Sequence, residues 1–310
     1  MEEIKRLVAS VESLKTSLKQ KELEYNALNI SYQKEQNEIK SLEAQIEDRN
    51  EQIKSLEAEL ERYKTSKPKT ENESQPQTEV FTVEGVSFKM IHVEGGTFVM
   101  GANDNDQLAS NDEKPAHEVT LSDYWMGETQ VTQALWQAVM GENPSYYKGG
   151  PDLPVECVSW LDCREFIRKL NKLTGKRFRL PTEAQWEFAA RGGNLGKGHQ
   201  HLYAGSNDIF DVAWYDENSK EKTHPVGERD PNELGLYDMS GNVWEWCNDW
   251  YEETYYSNSP SIDPIGPSNG SNRVNRGGGW YSIAGRCRVS GRNNNTPTST
   301  YYSLGLRLAL

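Results

Sequence analysis

Thiol side chains are the groups in this chain that could carry redox or metal chemistry, and they are few. The sequence of 310 residues contains four cysteines. They show neither CxxC spacing nor a dense disulfide pattern, and they are Cys157, Cys163, Cys247 and Cys287. We interpret them as small, buried, apolar side chains.

Histidines and carboxylates offer little more for catalysis. His199 and His201 could place two imidazoles on one side of an extended segment, but no third metal ligand accompanies them, which favours a solvated surface. Two carboxylate pairs have the i, i+4 spacing of one helix face, and they are Glu183 with Glu187 and Glu245 with Asp249. Both pairs lie in segments typical of structural roles, and the sequence has no P-loop, GxSxG or dinucleotide motif. We therefore expect no catalytic residues.

The composition favours one globular core and argues against a nucleic-acid partner. The chain is 35% hydrophobic and 10% aromatic, with a formal net charge of −13. Its first residues, MEEIKRLVAS, lack the apolar stretch of a secretory signal, and no apolar run is long enough to span a bilayer. We expect synthesis in the cytoplasm without membrane insertion. The protein could act there, on a phage particle or at a cell surface.

Residues 1–64 contain neither glycine nor proline, and their apolar side chains recur every seven residues. Position a of the heptad holds Ile4, Val11, Leu18, Tyr25, Tyr32, Ile39, Ile46, Ile53 and Leu60. Position d holds Leu7, Leu14, Lys21, Leu28, Glu35, Leu42, Arg49, Leu56 and Tyr63. This repeat predicts a long α-helical coiled coil, on the order of 90 Å, that joins two or three chains. The alternative is an antiparallel helical hairpin within one chain, which would need a turn near the middle of this segment. Between Tyr25 and Gln36, only Asn26 and Asn29 favour a turn.

Residues 65–79 are polar and contain two prolines, which predicts a flexible linker, and residues 80–310 then form a globular head. Caps and apolar spacing predict three helices in the head: Gln133 to Met140 after Thr132, Asp162 to Leu173 before Gly175, and Thr182 to Arg191 before Gly192. Gly95-Gly96 predicts a β-hairpin turn, and residues 304–310 alternate like a half-buried strand. We expect an α+β head with little regular secondary structure.

Five motifs of the head occur in a familiar order. They are MIHVEGGTFVMG from Met90, DEKPAHEVTLSDYWMGETQVTQALWQAVMG from Asp112, LPVECVSWLDCREFIRKLNKLTGKRFRLPTEAQWEFAARGG from Leu153, HPVGERDPNELGLYDMSGNVWEWCNDW from His224, and RGGGW with LGLRLAL near the C-terminus. Together they resemble the formylglycine-generating enzyme, or sulfatase-modifying factor, family, and the resemblance covers essentially all of residues 80–310. The resemblance implies a variant of the C-type lectin fold.

The resemblance also bears on the chemistry. The family's enzymes use two cysteines, just after a GGSW-like motif, to bind copper and attack a substrate cysteine. This chain has Ser282 at the first of these positions and only Cys287 nearby. Because a copper thiolate site needs at least two soft ligands close together, we expect no enzyme activity and no required cofactor. Asn242 and Glu245 resemble the family's calcium-binding turn, which leaves a structural calcium site and a metal-free capped turn as alternatives.

Residues 273–310 have the composition of a binding surface. Three glycines precede Trp280, and the stretch that follows is dominated by Tyr, Ser, Gly, Asn, Thr and Arg. Tyrosine provides contact area at low entropic cost, and the small polar residues provide adaptable hydrogen bonds. The alternative is an Asn-rich surface loop that binds nothing.

The same segment resembles the variable proteins of diversity-generating retroelements, a subset of this fold whose C-termini are rewritten by reverse transcription that mutates adenines. CRVSGRNNNTP from Cys287 and LGLRL from Leu304 match their typical unvaried form. Where a template would encode Asn, this chain has Tyr281, Ser282, Ile283, Arg286, Gly291, Ser299, Tyr301, Tyr302 and Ser303. None of the nine is Lys, Glu, Gln, Met or Trp, the residues that changes in the first two bases of an AAC codon cannot produce.

These features predict a non-catalytic, oligomeric variable protein that binds an unknown protein or glycan ligand through residues 279–303. The predicted anchors of binding are Tyr281, Ile283, Arg286, Tyr301 and Tyr302. Residues predicted to carry the structure are Trp280, Arg288, Asn293, Asn294, Asn295 and Leu304. Two alternatives stay open: a redox enzyme of the sulfatase-modifying factor family, and a fixed structural or assembly module.

Overall fold

The structure is a computed structural model that describes residues 1–66, 76–103 and 106–310. The chain divides into two compact units, Met1–Glu73 and Ser74–Leu310, whose described parts we call the stalk and the head. No helix within the described ranges is both long and apolar enough to cross a membrane.

The stalk is one continuous α-helix, α1 (Glu2–Ser66). The absence of glycine and proline lets the helix run without a break, and this continuity excludes the intrachain hairpin. The large apolar seam side chains that the structure describes, all at or before Ile46, are exposed on this single helix, from 47% for Ile39 to 69% for Leu28. The predicted helix is confirmed, and the association of several stalks stays a prediction.

Nine strands in the described part of the head form three sheets. The first sheet is antiparallel, with the order β1 (Thr78–Val83), β2 (Val86–Val93) and β5 (Tyr124–Gly127). The second sheet pairs β3 (Gly96–Met100) with β4 (His117–Leu121). The third has the order β8 (Arg292–Asn295), β7 (Arg273–Arg276), β6 (Trp244–Trp250) and β9 (Leu304–Leu306). In this sheet β9 runs parallel to β6, and the other pairs are antiparallel.

Besides three short 3-10 helices, the described head has four α-helices: α2 (Gln133–Met140), α3 (Trp160–Thr174), α4 (Glu183–Ala190) and the one-turn α5 (Ile209–Val212). The first three confirm the predicted helices, because Thr132, Ser159 and Thr182 each accept a backbone N–H at the first turn. Helix α3 begins two residues before its predicted start, since Ser159 and Asp162 form a capping box. Gly175 ends α3 in the left-handed conformation, as expected.

The hairpin predicted at Gly95-Gly96 is wrong. Strand β2 pairs with β1 and β5, and β3 pairs with β4, so the two strands that flank the glycines do not pair with each other. A Cβ on Gly95 would lie 2.4 Å from the carbonyl oxygen of Leu121. The glycine is therefore required by the close approach of another backbone.

The C-terminal run is fully buried, whereas the sequence pattern predicts a half-buried strand. All side chains from Leu304 to Ala309 are buried. Ala309 forms bridges with Met126 of β5 and with Arg179. The C-terminus thereby connects the third sheet to the first, so both faces of the run meet protein.

Aromatic side chains fill the core of the head. Trp136 stacks on Phe166 with ring centroids 4.8 Å apart, and the indole of Trp246 is fully buried. The Nε1–H group of Trp246 donates to the carbonyl oxygen of Val158 at 3.0 Å, so its polar edge is satisfied. A packed core of this kind gives the C-terminal segment a rigid support.

Candidate ligand-binding site

Four buried arginines of the C-terminal segment pair with carboxylates from other parts of the head. The pairs are Arg276 with Glu187, Arg288 with Glu113 (2.6 Å), Arg292 with Glu183 (2.7 Å) and Arg307 with Glu245 (2.8 Å). Arg276 also donates to the carbonyl oxygens of residues 289–291. These charge-assisted hydrogen bonds pair the buried charges and fix the backbone of the segment.

Three of the carboxylates that the sequence spaces at i, i+4 serve these ion pairs. Burial opposes ionisation of Glu187, but the guanidinium groups of Arg191 and Arg276 outweigh it and hold its pKa below the usual range. The fourth, Asp249, accepts the backbone N–H of Glu183 at 3.0 Å. Burial, and next the carboxylate of Glu183, raise the pKa of Asp249 to about 8.

The nine predicted ligand-binding positions separate into an exposed and a buried set. The exposed side chains are Tyr281 (51%), Ile283 (63%), Tyr301 (47%), Tyr302 (50%) and Arg286. Ser299 is half-buried, and the buried positions are Ser282, Gly291 and Ser303. The exposed set consists of the five side chains that the sequence predicts as anchors.

The buried positions hold the backbone of the segment. The Oγ atom of Ser282 accepts the N–H of Gly279 at 3.0 Å, and the carbonyl of Ser282 accepts the N–H of Asp216 at 3.1 Å. The carbonyl of Ser303 accepts the N–H of Trp244 at 2.8 Å. Substitution at these positions would alter the interior of the segment rather than its surface.

Tyr281 and Tyr302 line a groove of about 620 Å³, which we call the aromatic groove. Six residues outside the nine positions complete its lining: Tyr146, Tyr147, Asp216, Ser219, Glu221 and Trp280. Sequence reasoning missed the segments 146–147 and 216–221, because no motif or spacing connects them to the C-terminal segment. Only the fold brings the three segments together.

Trp280 is the buried centre of the aromatic groove. Its ring centroid lies 5.6 Å from Tyr147, 5.5 Å from Tyr281 and 5.7 Å from Tyr302. The Nε1–H group of Trp280 donates to the carbonyl of Tyr302 at 3.1 Å, and its backbone N–H donates to the carbonyl of Asn242 at 2.7 Å. The indole is therefore a fixed support for the exposed tyrosines.

Tyr147 connects two walls of the aromatic groove. Its hydroxyl donates to the carbonyl of Glu221 at 2.8 Å, and its backbone N–H donates to the buried carboxylate of Glu156 at 2.8 Å. Lys220 and Glu221 both have left-handed backbones, with φ of 54° and 57°. Such a conformation is uncommon outside glycine, and the hydrogen bond from Tyr147 holds this turn in place.

The cysteines show no redox arrangement in the described head. All four thiols are free, and three of them are buried. Burial raises the pKa of the Cys287 thiol, and burial followed by the carboxyl group of Glu156 raises that of Cys157 to about 12. A thiol with a raised pKa is protonated at neutral pH and is a poor nucleophile. The buried apolar role predicted for these cysteines fits Cys287 better than Cys157, which is only partly buried.

Asn242 and Glu245 are engaged in contacts within the protein. Both carboxylate oxygens of Glu245 accept hydrogen bonds from Arg307, and the indole N–H of Trp186 donates to the same group at 2.7 Å. Asn242 accepts the N–H of His224 and donates to its carbonyl. Since these side-chain oxygens already accept N–H donors, the contacts favour the capped turn over a calcium ligand set.

His199 and His201 stack with ring centroids 5.6 Å apart, and Nε2 of His201 lies 3.5 Å from Glu233. Within the described ranges there is no group of three or more His, Cys, Asp or Glu side chains that could hold a metal ion. The solvated-surface interpretation of the two histidines therefore stays the simpler one.

A family model, the sulfatase-modifying factor enzyme 1-like domain, matches residues 72–310. The chain belongs to the sulfatase-modifying factor family. Within this family, the formylglycine-generating enzyme of Streptomyces coelicolor is 32% identical over 282 residues, which covers 71% of this chain and 88% of that enzyme. The family resemblance predicted from the five motifs is confirmed.

The head of this sulfatase-modifying factor homologue is also similar to two solved structures. Treponema denticola variable protein 1 is 36% identical with a TM-score of 0.68, and the match covers 76% of this chain and 99% of that one. PvdO from Pseudomonas aeruginosa is 28% identical with a TM-score of 0.66, and the match covers 76% and 98%. The first match confirms the resemblance to variable proteins that the C-terminal segment indicates.

Proposed function

We propose that this chain is a non-catalytic variable protein of a diversity-generating retroelement and binds a ligand through its C-terminal segment. One observation carries the proposal: along the segment, Trp280, Arg288 and Leu304, which are predicted to be fixed, are buried, Asn293 to Asn295 are half-buried, and the five predicted anchors are exposed. Exposed side chains on a rigid backbone can change without unfolding the core. The similarity to a variable protein of Treponema denticola supports the same function.

The stalk supplies the second part of the proposal. Its exposed heptad seam would be covered by one or two further copies of the helix in a parallel coiled coil. Several heads would then meet a ligand-bearing surface together, which raises the apparent affinity of weak single contacts. We propose a dimer or trimer of this kind.

A pair of matched libraries in the full chain tests the proposal. The first library randomises Tyr281, Ile283, Arg286, Tyr301 and Tyr302. We expect most of its members to unfold within a few degrees of the parent, and selection on unrelated immobilised proteins to yield different binders.

The second library randomises Trp280, Arg276, Arg288, Arg292 and Arg307, which line the interior. We expect it to consist mostly of unfolded chains, because each change leaves buried polar groups unpaired. Equal loss of folding in the two libraries would refute the proposed separation of structural and variable positions. A first library that folds but yields no binder would refute the proposed ligand-binding function.

Family membership supports cysteine oxidation only as an alternative. The full chain, loaded with Cu(I), would be incubated with a cysteine-containing peptide beside the Streptomyces coelicolor enzyme as a positive control. Mass spectrometry would report conversion of the peptide cysteine to the aldehyde. We expect conversion by the control enzyme alone, and conversion by this chain would establish the enzymatic alternative.

A further inference from the structure

The rings of the aromatic groove lack a cation, whereas seven other described rings of the head have one beside them. Elsewhere the chain covers its own rings: the guanidinium of Arg273 lies 3.4 Å from the ring centroid of Trp250, and that of Arg292 lies 4.3 Å from that of Tyr256. In the described part of the chain, no arginine or lysine lies over any of the five rings of the groove. The exposed rings of Tyr146, Tyr281 and Tyr302 are open to a ligand.

Acidic side chains of the aromatic groove also lack a partner. Asp216 and Glu221 are exposed, and neither forms an ion pair with another described residue. The hydroxyl of Ser219, which also lines the groove, is fully buried and has no hydrogen-bond partner among the described residues. Lys148, next to Tyr147, donates its ammonium to the carbonyl of residue 143 and does not line the groove. The groove therefore has unpaired acceptors and no cation of its own within the described chain.

Two carboxylates contribute to the electrostatic environment of Tyr147. Burial raises the pKa of this phenol, and the neighbouring Tyr146 and Tyr302 raise it further, followed by the carboxylates of Glu156 and Glu221. Burial disfavours a charge of either sign, and only the contribution of the two carboxylates favours a positive charge here. The formal net charge of −13 for the whole chain acts in the same direction.

We infer that the aromatic groove binds a positively charged side chain, lysine or arginine, presented by a protein ligand. A cation between the rings gains from their negative faces and from the carboxylates of Asp216 and Glu221 at once. A neutral glycan could stack on the rings but would leave both carboxylates without a partner. This inference rests on the proposed function, because it takes the groove as the ligand site.

The charge preference is built into the fixed part of the site. Tyr147, Trp280, Asp216 and Glu221 lie outside the nine predicted variable positions, whereas Tyr281 and Tyr302 belong to them. A repertoire of such proteins would therefore share a preference for cations and differ in the side chains that close the groove.

Peptide surfaces test the inference on the full chain. One surface carries acetyl-Gly-Ser-Arg-Ser-Gly and a second carries the lysine counterpart, while neutral surfaces carry citrulline or norleucine at the same position. We expect about tenfold more chain to be retained by the cationic surfaces, as measured by biolayer interferometry. Equal retention on all surfaces, or retention on none, would overturn the inference.

Matched variants distinguish binding by the carboxylates of the groove from attraction by the net negative charge of the chain. Asp216→Asn with Glu221→Gln should reduce retention to the neutral level, and Tyr302→Ala should weaken it. The control changes two exposed carboxylates elsewhere, Glu118→Gln with Glu142→Gln, and should bind like the parent. If the control loses as much binding as the groove variant, the cation is held by net charge and the inference is wrong. Sequence variation among sister genes tests the proposed function independently, so a failure here would leave that result standing.

Discussion

Arg286 and Arg288 have opposite surroundings although only one residue separates them. The guanidinium of Arg288 donates to Glu113 at 2.6 and 2.8 Å and to Asp106 at 2.7 Å, while Arg286 is exposed. We predict that Arg288→Met lowers the free energy of unfolding by about 3–5 kcal/mol, because it leaves buried carboxylates unpaired. Denaturant unfolding of the full chain measures this loss.

Arg286→Met is the matched control, since it removes the same charge from an exposed position. We expect its free energy of unfolding to stay within about 0.5 kcal/mol of the parent. Similar losses for the two variants would contradict the division between fixed and variable positions.

Asp249 gives the stability of the head a pH dependence of defined sign. Burial, and next Glu183, raise its pKa to about 8, whereas an aspartate in an unfolded chain titrates at about 3.9. Between these values the folded chain holds a proton that the unfolded chain has lost, so this contribution to stability is complete below about pH 4 and is lost as the pH rises through about 8. We predict that Asp249→Asn flattens the fall of Tm across this window.

The asparagine keeps an acceptor for the N–H of Glu183, so the fold should tolerate it. Asp230→Asn, at an exposed position, is the control and should leave the slope of Tm against pH unchanged. An unaltered slope in Asp249→Asn would mean that this carboxyl is ionised in the folded protein.

Thiol reactivity tests the absence of an oxidase site at the residue scale. Because burial raises the pKa values of Cys163, Cys247 and Cys287, we predict that iodoacetamide leaves them unmodified in the native chain. The same thiols should react after unfolding in urea, which serves as the control. Rapid native alkylation of Cys287, located by mass spectrometry, would count against the non-enzymatic account.

At the scale of elements, the stalk makes the clearest prediction. Its seam is mainly apolar, and the apolar seam side chains described up to Ile46 are exposed on the single helix, so the full chain should be a dimer or trimer in solution. We predict that Leu14→Glu with Ile39→Glu converts it to a monomer, because charges in the seam oppose pairing. Light scattering after size-exclusion chromatography measures the mass.

Thr16→Glu with Ser41→Glu introduces the same charges outside positions a and d, and this variant should keep the parental mass. A monomeric parent would refute the coiled-coil prediction. A parental mass in both variants would place the contact between chains outside the predicted seam.

Local signals explain which elements could be predicted from the sequence. The capping residues of helices α2, α3 and α4 directly precede the first turn of each helix. A short stretch of sequence is therefore enough to predict where each helix begins. The pairing of β3 with β4, and the approach of Gly95 to Leu121, join distant positions, and the sequence pattern instead predicts a hairpin there.

Part of the candidate site could also be predicted from the sequence, and part could not. The exposed anchors of the C-terminal segment follow from composition and from the resemblance to variable proteins. The ion pairs of the segment join residues that are far apart in the sequence, as Arg288 and Glu113 do. The groove wall formed by Tyr146 and Tyr147 is likewise distant in sequence from the C-terminal segment. No spacing in the sequence links such partners, so only the structure identifies them.

At the scale of the whole molecule, the stalk and the head have complementary roles in the proposed function. In the proposed function, the head offers a groove whose surface can change, and a single cation held between its aromatic rings would bind weakly. The stalk would join two or three grooves, and simultaneous contacts would raise the strength of binding to a surface that repeats the ligand. Diversity and avidity together describe a receptor or adhesin for a multivalent target.

The most direct test of the central claim is to sequence this gene in sister isolates together with the DNA just downstream. We predict a near-identical template repeat beside a reverse transcriptase gene, with adenines at the codons for the nine positions. We also predict that the codons of Tyr281, Ile283, Arg286, Tyr301 and Tyr302 differ among isolates while those of the buried arginines stay the same. Constant codons at the five exposed positions and no template repeat would contradict the account and leave a fixed binding module in its place.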